Sequence, residues 1–226
     1  MPAVEPGRCG EHWDDCPRLV AGDRFDFACA GCGDCCRRRR DLVLSGYDLY
    51  RIARRLRLSP RIVAAAFCKS YLAPESCLPA LRLTPDPKTG NCRFFEGNAC
   101  AIHAARPLAC ALYPLGQSID TVTARTEYYV QTPLCGARAG ETRTLQDYLQ
   151  DSAVLDRAGV DARWAIVCTQ LSHRLQAAGG ADNPHFSAAV RRMERALYYD
   201  YELGDDFYPQ FCQNIEILMP LLDRML

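Results

Sequence analysis

CAGCGDCCRRRR, residues 29–40, places four cysteines within eight positions and follows them directly with four arginines. Cys29, Cys32 and Cys35 repeat a C-x2-C step twice, and Cys36 follows at once. A C-x2-C turn lets two sulfurs converge on one metal, as in zinc knuckles and ferredoxin loops. Two glycines within the stretch supply the backbone freedom that such turns need. The stretch therefore predicts a metal-binding loop.

The chain has 14 cysteines in 226 residues, and they cluster between Cys29 and Cys135. A chain of this length can bury a core without disulfide staples. The first residues show neither a basic region nor an apolar run, and no later stretch approaches about 18 apolar residues. We therefore expect a cytoplasmic protein with no membrane span. In a reducing compartment, dense cysteines are more often metal-binding or catalytic than disulfide-bonded.

Four further cysteines lie downstream, outside obvious helical core positions. They are Cys92, Cys100, Cys110 and Cys135. Strong metal motifs place two or three thiols on a tight turn and bring the others from a distant segment. With the four thiols of the first loop, the downstream cysteines make eight candidate metal ligands, enough for two sites of four thiolates each.

The adjacent pair Cys35 and Cys36 restricts how these thiols can be shared. Neighbouring side chains in extended or turn backbone usually diverge, whereas a single zinc ion needs its sulfurs about 2.3 Å away. We therefore do not expect both to bind the same zinc ion. Three alternatives stay open: two metal centres, a larger cluster that accepts sulfurs from a wider arc, or one cysteine outside the ligand shell.

The arginines have two interpretations. With 27 basic and 27 acidic residues the formal charge is zero, and only Arg37–Arg40 looks like a basic face, so nucleic-acid binding is not expected. The same residues could offset the negative charge of a thiolate site.

His103, three residues after Cys100, is a weaker candidate ligand than the thiols. Cys9 and Cys16 have no assigned role.

The pattern predicts an α+β fold that is mostly helical, with a small cysteine-rich module of strands and loops followed by a C-terminal helical region. We divide the chain into an irregular leader (1–24), a metal-binding module (25–140) and the helical region (141–226). Within the module, Ser45 is placed to cap one helix, and Ser59 with Pro60 starts a second. A hairpin should lead to Cys100, and a strand should follow within 121–132.

The C-terminal region shows apolar residues at helical spacing from Thr144 onward. We expect one interior, formed by Leu145, Tyr148, Leu149, Val154, Leu155, Trp164, Val167, Leu171 and Leu175. Cys168 and Cys212 fall on these apolar faces, and Cys68 lies beside apolar residues of the second helix. All three are interpreted as core residues.

The segments FACAGCGDCC, CRFF and CAIHAARPLACALYP together resemble the CxxCxxCC family, the YkgJ-type cysteine cluster proteins, over about residues 25–116. The resemblance implies chelation of zinc or iron by Cys29, Cys32, Cys35, Cys36, Cys92, Cys100 and Cys110. A larger relative of that family is the flagellin lysine N-methylase, which implies that the module can accompany methyl transfer to protein lysines. His103 stands where we expect an aromatic residue.

Three functions are compatible with these observations. The first is a protein that holds iron, as an iron–sulfur cluster, with a redox or sensing role. The second is a structural zinc module whose helical region binds a protein partner, since fully thiolate-closed zinc sites are structural. The third is a cluster-dependent methyltransferase. No Ser-His-Asp order, phosphate loop or H-E-x-x-H motif is present, so whether the chain is an enzyme stays open.

Overall fold

The computed structural model describes residues 16–27, 33–37, 42–132 and 142–226. Cys9, Cys29, Cys32 and Cys135, as well as three of the four arginines, therefore lie outside the described residues. Within these ranges the fold is α+β and largely helical, with small sheets in the N-terminal part and helices in the C-terminal part, as predicted. No helix in the described ranges is long and apolar enough to cross a membrane.

Helices and strands follow one another in no regular order along the chain. The helices are α1 (Gly46–Leu56), α2 (Pro60–Phe67), α3 (Leu108–Leu112), α4 (Leu145–Asp151), α5 (Ala158–Ala177), α6 (Phe186–Glu194) and α7 (Phe207–Met225). The strands are β1 (Arg18–Leu19), β2 (Arg24–Asp26), β3 (Val43–Leu44), β4 (Cys68–Leu72), β5 (Pro79–Leu83), β6 (Phe95–Glu96), β7 (Ala99–Cys100), β8 (Leu115–Ile119), β9 (Thr126–Val130) and β10 (Thr142–Thr144).

The chain divides into two compact units that are discontinuous in sequence. The first unit takes the described residues below 40, together with Pro85–His103 and Leu108–Ala162. The second takes the described residues of 40–84, together with Ala104–Pro107 and Arg163–Leu226. Each unit therefore contains both strands and helices.

The first unit holds three antiparallel arrangements: a sheet in the order β1-β9-β8, the pair β10-β2 and the hairpin β6-β7. Strand β9 is the strand predicted within 121–132. In the hairpin that joins β8 to β9, the Asp120 carboxylate accepts the backbone N–H groups of Val122 and Thr123. This closes the turn because Asp side chains bond readily to backbone groups two or three residues ahead.

An apolar cluster fills the first unit between the sheets and α4. Its members are Leu19, Phe25, Phe27, Ala111, Leu112, Tyr113, Leu115, Val130, Leu145, Tyr148, Leu149 and Val154. The Tyr148 hydroxyl donates to the Tyr113 carbonyl, so this buried phenol is hydrogen-bonded. The ring of Tyr148 also packs edge-on against Phe25 and Phe27.

In the second unit, α1 and α2 accompany a sheet in the order β3-β5-β4. Ser45 caps α1 in a capping box with Asp48, and Ser59 caps α2 with Pro60 at the first helical position, so both predicted starts are confirmed. At Gly46 a Cβ atom would collide with the Leu197 carbonyl. The close approach of α1 to that segment therefore requires glycine.

Helices α5 to α7 complete the second unit, and α6 continues into a π-helical turn at Arg195–Tyr199. Aromatic rings fill the space between α1, this turn and α7. They are Tyr47, Tyr50, Trp164, Tyr198, Tyr201, Phe207 and Phe211, with neighbouring centroids 4.6 to 6.5 Å apart. Such ring packing contributes beyond the area that it buries.

The expectation of one C-terminal interior is wrong in two respects. Residues Leu145 to Val154 belong to the core of the first unit, whereas Val167, Leu171 and Leu175 are fully buried in the second. Leu155 is 37% exposed. It follows the end of α4 in a short 3-10 turn, where helical periodicity no longer decides which side chain faces inward.

Candidate metal centre

A short 3-10 turn, Asp34–Cys36, carries the adjacent cysteines. It starts after Gly33, whose φ of 76° lies in the left-handed region that favours glycine. A Cβ at this position would also collide with the ring of Phe95. Glycine is therefore required twice, by the backbone angle and by the contact with the β6-β7 hairpin.

The sulfurs of Cys35 and Cys36 lie 4.0 Å apart. Four sulfurs held tetrahedrally about 2.3 Å from one ion lie about 3.8 Å from each other, close to this separation. The expectation that the two side chains diverge is therefore wrong. The physical reason is the local backbone: successive side chains in a 3-10 turn are rotated by about 120°, not by the half-turn of a strand.

Cys92 reaches this pair through a tight loop. The Asp86 carboxylate accepts the backbone N–H and the hydroxyl of Thr89, and these bonds lower the pKa of Asp86. Gly90 closes the loop with φ of 72°, and Pro85 pairs with Cys92 across its base. Because the loop folds back on itself, Cys92 lies next to the cysteine turn.

The backbone N–H of Cys92 donates to the Cys36 carbonyl at 2.8 Å, which ties the loop to the turn. Cys100 lies opposite Phe95 in the hairpin, as predicted from the turn residues before it. Gly97 and Asn98 form the two-residue connection, both with positive φ, as in the tight turns typical of hairpins.

The four thiols of Cys35, Cys36, Cys92 and Cys100 influence one another electrostatically. The hydrogen bond with Cys35, burial and the charges of the other three thiols all raise the pKa of Cys36. Burial is the main cause that raises the pKa of Cys92, and the charges of Cys100 and Cys35 add to it. Among the described residues, no three or more His, Cys, Asp or Glu side chains lie close enough together to hold a metal ion as they stand.

Arg37 fastens the cysteine turn to the hairpin. Its guanidinium forms a 2.7 Å salt bridge with Asp34, donates to the Asn98 side chain at 3.3 Å and lies 5.0 Å over the Phe95 ring. Sequence reasoning assigned the arginine to charge compensation and missed this clamp. The Gly97-Asn98 turn was the available signal, because it fixes where the hairpin tip lies.

The other candidates lie on separate elements. Cys110 is half-buried on α3, which starts directly after Pro107. His103 is exposed in a 3-10 turn. Cys68, expected in the core on the second helix, is instead half-buried and is the first residue of β4; burial raises the pKa of its thiol to about 12. Cys16 is disulfide-bonded.

The chain also resembles a known family. Residues 28–136 match the family model CxxCxxCC, described as "Putative zinc- or iron-chelating domain". The match covers just under half of the chain. The resemblance inferred from the cysteine spacing is thereby confirmed, and metal binding in the general sense with it. No curated protein and no solved structure matches the chain.

Proposed function

We propose that Cys35, Cys36, Cys92 and Cys100 bind one zinc or iron ion between them, and that this centre holds the cysteine turn against the β6-β7 hairpin. The 4.0 Å separation of the adjacent sulfurs carries the proposal, because it matches two corners of a tetrahedral thiolate shell. The mutual electrostatic influence of the four thiols supports it.

The donor set fits such an ion chemically. Thiolates are the soft ligands that zinc and iron accept, and only the deprotonated sulfur binds. The hydrogen bond with Cys35 raises the pKa of Cys36, burial raises the pKa of Cys92, and the charges of the neighbouring thiols add to both, so their simultaneous ionisation is unfavourable. A divalent cation would relieve that repulsion, since it lowers the pKa of the thiols that bind it.

A single ion suits the adjacent pair better than a four-iron cluster. In such a cluster each thiolate binds a different iron, so neighbouring ligands are spread more widely than two sulfurs on one ion. An iron–sulfur cluster stays the second candidate, because the repeated C-x2-C step is typical of cluster loops. Cys29 and Cys32, on which that alternative depends, lie outside the described residues.

The remaining predicted ligands suffice for a second centre. They are Cys29, Cys32, Cys110 and Cys135, of which the structure describes only Cys110. A closed shell of four thiolates leaves no position for a substrate, so we assign the first centre a structural role. A cytoplasmic location belongs to the same proposal, because a reducing compartment keeps these thiols available for metal. The redox, sensing, partner-binding and methyltransferase roles stay predictions.

Metal content per chain tests the proposal. Protein purified without oxygen should contain one or two zinc or iron ions per chain, and the cobalt-substituted protein should show the absorption of a tetrahedral thiolate site. Cys36→Ser and Cys100→Ser should each lose one ion per chain. Cys212→Ser, in the other unit, is the matched control and should lose none.

Three outcomes would contradict the assignment. Full metal content in both Cys36→Ser and Cys100→Ser would show that these thiols are not ligands. Acid-labile sulfide in stoichiometric amount would replace the single ion by an iron–sulfur cluster. Native protein free of zinc and iron would overturn metal binding by this chain altogether.

A further inference from the structure

Helices α1 and α2 carry a basic surface that the zero net charge of the chain conceals. Residues 46–67 contain five arginines and one acidic residue, Asp48. Asp48 is buried and occupied in the capping box of α1. The surface of these two helices therefore displays arginine without any carboxylate of its own. We call it the arginine face, and its members are Arg51, Arg54, Arg55, Arg57 and Arg61.

Three of these guanidinium groups are held against aromatic rings. Arg51 lies 5.8 Å over Tyr47, Arg54 lies 5.7 Å over Tyr50, and Arg61 lies 4.8 Å over a third tyrosine, at position 199. A guanidinium within about 6 Å of a ring is attracted to the ring face and still has N–H groups able to donate. These arginines are thereby oriented as donors before any ligand arrives.

The positive charge of the face is scarcely neutralised. Arg51 donates to the Ala104 carbonyl at 2.6 Å and Arg54 to the Tyr50 hydroxyl at 3.4 Å, both neutral acceptors. Arg61 contacts Asp200 at 3.4 Å, but Arg195 contacts the same carboxylate at 3.2 Å, so two cations share one anion. Two further carboxylates lie near the face: Glu194, which accepts from Ser70 and Tyr199, and Asp206, whose charge raises the pKa of Tyr50.

Arg55 and Arg57 are exposed, and the guanidinium of neither forms a salt bridge with another described residue. Arg57 is the C-terminal cap of α1 with φ of 57°, a left-handed position where glycine is usual. An arginine here costs conformational free energy, and its guanidinium forms no salt bridge with another described residue to offset that cost. A functional use of its charge explains why it stands there.

We propose that the arginine face binds the phosphate backbone of nucleic acid without reading its sequence. Arg51 and Arg55 are one helical turn, about 6 Å, apart along a helix that is rigidly packed, and guanidinium groups bind phosphate oxygens in paired contacts. Charge attraction to phosphates supplies most of such sequence-independent binding. The net charge is a sum over the whole chain. An expectation based on it therefore does not reveal a basic surface that is confined to two helices.

Two other polyanions fit less well. A lipid surface would require apolar side chains to insert, but Leu49, Ile52 and Ala53 of α1 are fully buried in the core. Ile62 is the one large apolar side chain that α1 and α2 expose. An acidic peptide would lack apolar anchors for the same reason.

Fluorescence anisotropy with labelled 20-nucleotide oligo(dT) and with a 20-base-pair duplex tests the proposal on the metal-loaded full chain. Each phosphate contact should steepen the dependence of log affinity on log salt by about 0.7 for a single strand and about 0.9 for a duplex. At 50 mM salt, removing two contacts to a single strand should weaken binding by roughly 70-fold. The double variant Arg55→Gln with Arg57→Gln removes two such contacts.

Matched controls separate this face from charge in general. Arg125→Gln with Arg224→Gln removes two exposed arginines elsewhere, in the β8-β9 turn and at the end of α7, and should leave affinity unchanged. Arg57→Gly should raise the thermal midpoint and still weaken binding, which excludes misfolding as the cause. Equal binding by both double variants, or absence of oligonucleotide binding at 25 mM salt, would overturn the proposal. Tighter binding to phosphatidylserine vesicles or to polyglutamate than to either oligonucleotide would also overturn it.

Discussion

Replacing Gly33 by alanine should weaken metal binding through two separable effects. The residue has φ of 76°, and a side chain in that region costs about 1–2 kcal/mol. The new Cβ would also displace the ring of Phe95, over which Arg37 lies at 5.0 Å. Loss of an exposed contact of that kind costs about 0.5–1 kcal/mol. Together these effects amount to about 1.5–3 kcal/mol, which corresponds to a roughly 12- to 150-fold lower affinity.

The assay is competition for zinc between the protein and a chromophoric chelator. Gly90→Ala provides the matched control, because Gly90 has a similar φ of 72° with no atom near its added Cβ. It therefore carries the backbone cost without the collision, and we expect a loss of about 10-fold. If Gly33→Ala bound zinc as the unaltered protein does, or if Gly90→Ala weakened binding equally, the contact between the turn and the hairpin would not position the thiols.

Three further predictions concern stability, each measured by denaturant unfolding. Asp161→Asn should cost about 3–5 kcal/mol, because Arg157 is almost fully buried and loses a bidentate partner at 2.7 and 2.8 Å; a loss under 1 kcal/mol would contradict this. Arg57→Gly should stabilise by about 0.5–1 kcal/mol, since glycine tolerates its left-handed φ; destabilisation would show that the arginine side chain packs. Burial raises the pKa of Cys168 to about 12 from 9.0, so folding stability should be intact below pH 9 and fall towards pH 12. The slope is about 1.4 kcal/mol per pH unit, and an unchanged slope in Cys168→Ala would refute the assignment.

Features that depend on local sequence were predictable. Ser45 and Ser59 cap the two helices because a serine before an apolar periodic run satisfies the first backbone N–H groups wherever the helix later packs. The hairpin before Cys100 followed from Gly97 and Asn98, which tolerate positive φ. In each case the side chain that decides the structure lies within a few residues of the element that it defines.

Features that depend on distant packing were not predictable. Periodicity places Leu149 and Leu171 on apolar faces, but it does not reveal that they face the cores of different units. The same reasoning put Leu155 inside, because it extended the period of α4 past the end of the helix. A period identifies the apolar side of a helix and leaves its partner undetermined.

The cysteine turn shows how the two kinds of information meet. The spacing alone predicts that Cys35 and Cys36 are both ligands. The general rule that neighbouring side chains diverge, however, predicts that their sulfurs lie too far apart to share one ion. The 3-10 turn that brings their sulfurs to within 4.0 Å of each other begins after Gly33, which has a left-handed φ. Arg37 holds this turn against the hairpin. Because the hairpin also carries Cys100, the residues that shape the turn bring the distant ligand to it. Loss of the clamp, as in Arg37→Gln, should therefore lower zinc affinity without removing any sulfur. The same affinity in Arg37→Gln as in the unaltered protein would show that the thiols converge without the hairpin contact.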